Sequence, residues 1–244
     1  SARAVISFIN TYFDATMPKV QDTHHGWLED YVGDLACFFW PSKALLSEHK
    51  QKVRARRAAL DLAFDQKFFF EELQDIDVEG CSSEKLEEVK HILGAGIGIA
   101  AGPVAMGNMG MTHGVQKFGI LGDPLNLSSR VEALTRHFDT EILITEDLVE
   151  AARKCGNVRL VAQVRVKGRV ESSQIYAIYD VKDGRGSSKV VERWENFLEQ
   201  LRNHQDLSSD DGGFPSDART LRMWRDKGLL QEDEGEWYFS LDEK

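Results

Sequence analysis

Two short apolar runs, 27–32 and 35–40, are separated only by Gly33-Asp34. Strands joined by two residues, one of them glycine, close as a tight antiparallel hairpin. This part of the chain is therefore committed to a sheet. Upstream, Val5, Phe8, Ile9, Tyr12, Phe13 and Met17 recur at helical spacing and predict one helix over residues 4–20, ahead of a turn at Thr23-His24-His25-Gly26. Pro41-Ser42 ends the second strand, and a stretch rich in Ala, Lys and Arg predicts a helix to about Leu73. Within it Lys52, Arg54, Arg56 and Arg57 read as a solvated face.

The remainder mixes helices with further short strands. Residues 74–91 are polar and charged and read as an exposed, partly helical connection. The run 94–101 alternates glycine or alanine with isoleucine, and a strand with so little side chain implies close backbone approach by a ligand or another chain. Residues 115–122 predict a strand; Asp123 then caps a helix with Pro124 at its first position, continuing to about Arg136. A strand at 142–144, a short helix to Lys154 and strands at 158–166 and 173–181 complete an α+β pattern. Beyond it, 183–188 is a linker, 190–203 an amphipathic helix, and 206–217 a flexible stretch. A last helix carries Leu221 and Trp224, and a terminal hairpin turns at Glu234-Gly235. The expected division is residues 1–181 as one domain and 182–244 as a helical extension ending in that hairpin.

Charge and cysteine use narrow the partners. Forty acidic against thirty basic side chains leave a net charge of -10, which repels nucleic acid and anionic membrane surfaces. Cys37, Cys81 and Cys155 are few and odd in number, without a metal knuckle, so a cytoplasmic, reducing compartment is expected. The chain opens at Ser1 directly in a helical pattern, as a piece of something longer would, which is compatible with a membrane-anchored parent. No apolar run reaches the length of a membrane span, so no membrane contact is expected from this segment.

Three stretches carry a resemblance: FINTYFDATMPKVQDTHHGWLEDYVGDLACFFWP (8–41), GIGIAAGPVAMGNMG (96–110) followed by KFGILGDPLNLSSRVEALT (117–135), and VRVKGRVESSQIYAIYDV (164–181). In order and spacing, residues 1–181 resemble most of the catalytic domain of the class III nucleotidyl cyclases, the adenylate and guanylate cyclases. The resemblance implies a ferredoxin-like sandwich, a mostly antiparallel sheet flanked by helices, working as a homo- or heterodimer with a second cyclase domain. It implies conversion of a nucleoside triphosphate to a 3′,5′-cyclic nucleotide and pyrophosphate in the groove between the two domains. Two Mg²⁺ or Mn²⁺ ions would lower the pKa of the ribose 3′-hydroxyl and orient the triphosphate.

Carried over by position, Asp34 matches the second metal-binding aspartate, Asn126 the asparagine that holds the ribose, and Arg130 the arginine that steadies charge on the α-phosphate. Arg169 stands where the family commonly has a lysine for the terminal phosphates, and arginine can grip them bidentately. Read without the resemblance, Asp34 is a turn residue, Asn126 braces a helix start and Arg130 is a solvated helix residue. Asp30 and Gly119 fall on the base-reading positions. A carboxylate there accepts from guanine N1–H and N2–H₂ and repels the adenine N1 lone pair, so GTP is favoured weakly over ATP. Gly119 supplies no side-chain hydrogen bond.

One part of the family pattern has no counterpart. The first metal-binding aspartate of these cyclases sits in a Phe-x-Asp strand before the opening helix, and residues 237–241, followed by Asp242, lack its Gly-Phe-Thr context. The two-ion site is therefore expected to be incomplete in these residues. Two readings stay open: a guanylate-type cyclase domain whose first strand is supplied upstream, or a catalytically degenerate pseudocyclase serving as a dimerisation or scaffold module.

Overall fold

The computed structural model describes residues 2–42, 47–138, 140–153, 157–165, 172–179, 230–233 and 236–240. These divide into two compact units, one of residues 1–97 with 103–125, the other of 98–102 with 126–244.

In the first unit the expected helix over 4–20 breaks into α1 (Ala2–Thr16) and α2 (Pro18–Asp22). Pro18 has no amide hydrogen to continue the ladder, so Met17 ends one helix and the next begins at the proline. The inner side of α1 buries Tyr12, which meets the ring of Phe69 at 5.4 Å edge-on and accepts a 2.6 Å hydrogen bond from Gln66 Nε2. Met17, Leu73, Val78 and Leu86 complete this core. Val5, expected on the inner face, is instead exposed.

The strands β1 (Trp27–Val32) and β2 (Leu35–Phe39) pair antiparallel with Val32 opposite Leu35, turning through Gly33 at φ +64°. That left-handed value is the reason for glycine at this turn. The hairpin base is tied down where Trp40 Nε1 donates to the His24 carbonyl, while His24 Nε2 lies 2.7 Å from Asp61 Oδ2 on α3 (Glu48–Glu71). Ser47 caps α3 by accepting from the Lys50 amide. Arg56 departs from the expected solvated face: it is buried, because it shares the inward stripe of Ala59, Ala63 and Gln66. The polar connection is partly helical, as α4 (Ser83–Val89).

After β3 (Ile97–Ile99), β4 (Ala105–Gly110) and β5 (Gln116–Leu121) form a second antiparallel hairpin, with Asn108 opposite Phe118. The strand at β4 is not anticipated by local sequence, since AMGNMG has no β-branched residue to signal it. Helix α5 (Asp123–Leu134) follows as expected.

In the second unit, β6 (Ile142–Thr145) is buried along its whole length, short helix α6 (Val149–Arg153) follows, and β7 (Asn157–Arg165) pairs antiparallel with β8 (Ser172–Tyr179). The final hairpin is present as β9 (Leu230–Asp233) and β10 (Glu236–Ser240). The sheet order is β3-β6-β8-β7-β10-β9. The close backbone approach expected at 94–101 is found at Gly98, but its neighbour is the chain's own helix: a methyl group there would lie closer than 3.0 Å to Ser128 O and Glu132 N of α5. Gly94 has nothing within 4 Å.

Every pairing with a described register is antiparallel except β10 with β7. The architecture is α+β, antiparallel sheets flanked by helices. The segments 183–188, 190–203 and 206–217, the Leu221/Trp224 helix, the Glu234-Gly235 turn and Arg169 lie outside the described residues. Among the described residues no helix is long and apolar enough to cross a membrane.

Candidate functional site

The strongest local constellation is built by a bulge. Trp27 and Leu28 pair with Phe39 and Phe38, but the next paired residue on β1 is Asp30, opposite Cys37. Glu29 is the extra residue, and a bulge re-aims the side chain it inserts. The Glu29 side chain is 8% exposed. It accepts the Ile120 amide at 3.0 Å and the Lys117 ammonium at 3.2 Å, both from β5. Lys117 also pairs with Asp30 at 2.8 Å. Gly119 lies beneath this cluster, where a methyl group would stand 2.5–3.0 Å from the Glu29 carboxylate. The glycine thus makes the seat into which Glu29 fits.

The electrostatics follow from this packing. The Lys117 hydrogen bond, helped by the Tyr31 amide, holds the Asp30 carboxyl below its ordinary value. Asp30 in turn raises Lys117, with Glu29 adding to the effect. A depressed carboxyl contributes stability above its unfolded pKa and loses it as pH falls through the folded one; a raised ammonium loses its contribution as pH rises through its folded pKa. The Asp30–Lys117 pair is accordingly ionised throughout neutral pH. Burial, reinforced by the negative charge of Glu29, pushes the Cys37 thiol up to about 11, so it stays a neutral neighbour.

Of the residues singled out from sequence, Asp30, Asp34 and Gly119 belong to the first unit. Asp34 is exposed in the β1–β2 turn, and Asp30 is exposed and bonded to Lys117 and its neighbour's amide. Asn126 and Arg130 belong to the second unit, on α5, four residues apart and so on one helix face. Asn126 is exposed; Arg130 is half-buried, and its Nη1 is enclosed with no hydrogen-bond partner among the described residues. Asp30 stands three residues before Gly33, the position singled out from sequence, and the bulge sets the neighbouring Glu29 carboxylate against Gly119. Glu29 and Lys117 belong to this cluster without having been singled out from sequence. The adjacent acids and the lysine two positions before Gly119 are a visible signal, but the bulge is not.

Asp34 offers one carboxylate to a divalent cation. Among the described residues no group of three or more His, Cys, Asp or Glu side chains could hold a metal ion. The described donors alone do not fit a two-ion centre.

No protein-family model matches the chain. It is 27% identical over 206 residues to the terminal-differentiation specific adenylate cyclase of Dictyostelium discoideum, covering 82% of this chain and 9% of that protein. It is 29% identical over 177 residues to an adenylate cyclase of Anabaena cylindrica, covering 71% of this chain and 32% of that one. The chain thus spans less than a third of these relatives' length. Among solved structures, the adenylyl cyclase CyaB from P. aeruginosa superposes with a TM-score of 0.57 at 24% identity, over 74% of this chain and 84% of that one. A guanylyl cyclase superposes with a TM-score of 0.54, also at 24% identity, over 74% of this chain and 83% of its own. The chain is related in sequence to adenylate cyclases and has the fold of the class III adenylyl and guanylyl cyclase catalytic domains.

Proposed function

We propose that residues 1–181 act as a nucleotidyl cyclase domain that binds a nucleoside triphosphate between two such domains and makes a 3′,5′-cyclic nucleotide and pyrophosphate, GTP being preferred to ATP. The observation that carries this reading is Arg130: a guanidinium nitrogen enclosed with no partner among the described residues is costly in a structural residue and is satisfied where an anion completes it. On the same face of α5, Asn126 presents an exposed amide suited to the ribose, and Arg130 would meet the α-phosphate. Asp34, at the tip of the hairpin, is the position for a cation, and Arg169 is assigned to the terminal phosphates.

The preference for guanine rests on the bulged cluster. A carboxylate has about four lone-pair directions and an ammonium three protons. Glu29 uses two of its own on Ile120 and Lys117, and Lys117 uses two of its protons on Glu29 and Asp30. What remains is one donor beside free acceptor positions. Guanine presents O6 beside N1–H and N2–H₂, one acceptor and two donors, which matches that remainder. Adenine offers N1 beside N6–H₂ and leaves an acceptor unused.

Competition of GTP and ATP against a fluorescent GTP analogue in Mn²⁺ buffer tests the reading. GTP is expected to bind more tightly, and Glu29→Ala to lower its advantage about tenfold, the effect of losing one charge-assisted hydrogen bond. Equal affinities, or a ratio that Glu29→Ala leaves unchanged, would refute guanine reading by this cluster.

The second reading, a scaffold module, is favoured by a different observation. The β4–β5 hairpin leaves Met106 and Phe118 exposed on one face and Met109 and Leu121 on the other, apolar side chains of the kind that interfaces cover. The two readings separate on the same experiment, because a module that only assembles has no reason to bind GTP.

A further inference from the structure

The bulge on β1 re-aims more than the Glu29 side chain. In a regular strand, residues three apart face opposite sides of the sheet. Here Trp27 lies opposite Phe39 and Asp30 opposite Cys37. Cross-strand partners share a face, and so do residues two apart such as Cys37 and Phe39. The inserted residue therefore returns Trp27 and Asp30 to one face, about 7 Å apart along the hairpin. The other face is the core side, where Ala36 and Phe38 pack against the cluster that includes Tyr12 and Phe69. The Trp27 ring is flanked by Phe39 at 5.8 Å and by Phe118 of β5 at 6.2 Å, tilted by 58° and 49°. These two rings brace the indole and still leave Trp27 47% exposed. All of these residues belong to the first unit.

We propose that Trp27 is the stacking surface for the base of the bound nucleotide, with Asp30 and Lys117 at the edge of that base. A braced, half-exposed indole on the same face as a carboxylate–ammonium pair matches a purine, which is flat and apolar on its faces and carries donors and acceptors around its rim. Stacking tolerates any base, because each has a π-face. Trp27 thus supplies affinity common to GTP and ATP, while Glu29, Asp30 and Lys117 supply the difference between them. This assignment rests on the nucleotide reading; the placement of Trp27 beside Asp30 rests on strand register alone.

Competition against a fluorescent GTP analogue in Mn²⁺ buffer tests this on the full chain and on full-length Trp27→Phe and Trp27→Leu. Leucine keeps apolar bulk against Phe39 and Phe118 but has no π-face, whereas phenylalanine keeps both. Trp27→Leu is expected to weaken GTP and ATP alike, about tenfold, with their ratio unchanged and inorganic triphosphate competing as before. Trp27→Phe is expected to stay within about threefold of the unmodified chain. GTP should also quench part of the tryptophan emission, and Trp27→Phe should abolish that part while still binding. Affinities that Trp27→Leu leaves unchanged, or a loss that inorganic triphosphate shares, overturn the stacking role even where GTP binds the unmodified chain. Unchanged affinity with weakened self-association in Trp27→Leu overturns it too, and assigns the indole to an interface. If the unmodified chain binds neither nucleotide, the nucleotide reading itself fails and the stacking role fails with it.

Discussion

Incubated with GTP or ATP and Mn²⁺, the 244-residue chain is expected to release no measurable cyclic nucleotide. The reason lies in the ligand count. Phosphoryl transfer of this kind depends on cations that activate the attacking hydroxyl and neutralise charge on the phosphates. Asp34 is the one metal position assigned here, and the described residues hold no cluster able to stand in for the family's first metal-binding aspartate. Without hydroxyl activation the rate falls by several powers of ten, each about 1.4 kcal/mol of barrier. Chromatographic assay of cyclic AMP and cyclic GMP checks this. Robust turnover would reveal a carboxylate that takes the place of the missing ligand. Addition of a Phe-x-Asp strand ahead of residue 1 is expected to restore activity if the domain is a cyclase rather than a scaffold.

Gly98→Ala is expected to be the most damaging single substitution in the second unit. Its new methyl group would meet backbone atoms of Ser128 and Glu132, closer than 3.0 Å, and backbone cannot rotate aside as a side-chain end can. Either β3 or α5 must move, and overpacking of this kind costs about 3 kcal/mol. For a chain of this size that is a fall in melting temperature of roughly 6–12 °C. Because α5 also carries Asn126 and Arg130, nucleotide affinity should fall with it. Gly94→Ala, with nothing within 4 Å, serves as the control and should melt close to the unmodified chain. Equal melting temperatures for the two variants would mean that β3 does not lie against α5 as described.

Where the sequence was legible, the cause is local. The Gly33-Asp34 hairpin and the Asp123-Pro124 helix start depend on turn and cap chemistry that a few neighbouring residues supply, and both stand where expected. The tail hairpin also forms, yet its parallel pairing with β7 could not be read, because nothing in a strand's own residues names a distant partner. The break at Pro18 was readable but was outweighed by continuous apolar spacing on both sides of it. Arg56 was misplaced for the opposite reason, since its charge spoke for solvent while its position on the helix spoke for burial.

The same distinction governs the site. Asp34, Asn126 and Arg130 are proposed from matching motifs, and the helix places the last two on one face, as their spacing of four predicts. Asp30 was singled out by its place three residues before Gly33 in the family pattern. A single bulged residue changes which side chain faces β5, and thereby puts Glu29 beside Gly119. A glycine with no hydrogen bond to offer looked like an absent function. In three dimensions it is the space that the Glu29 carboxylate occupies.

The central claim, a site shared between two cyclase domains, is tested most directly by complementation. In a form that carries the family's first metal strand ahead of residue 1, Asp34→Ala and Arg130→Ala chains are each expected to be inactive alone. Mixed, half of the randomly formed dimers pair one chain of each kind, and two-fold symmetry leaves one intact site of two in each such dimer. Activity should therefore return to roughly a quarter of the unmodified level. Complete failure to complement, with both chains folded and associated, would contradict the account and place any site within a single chain.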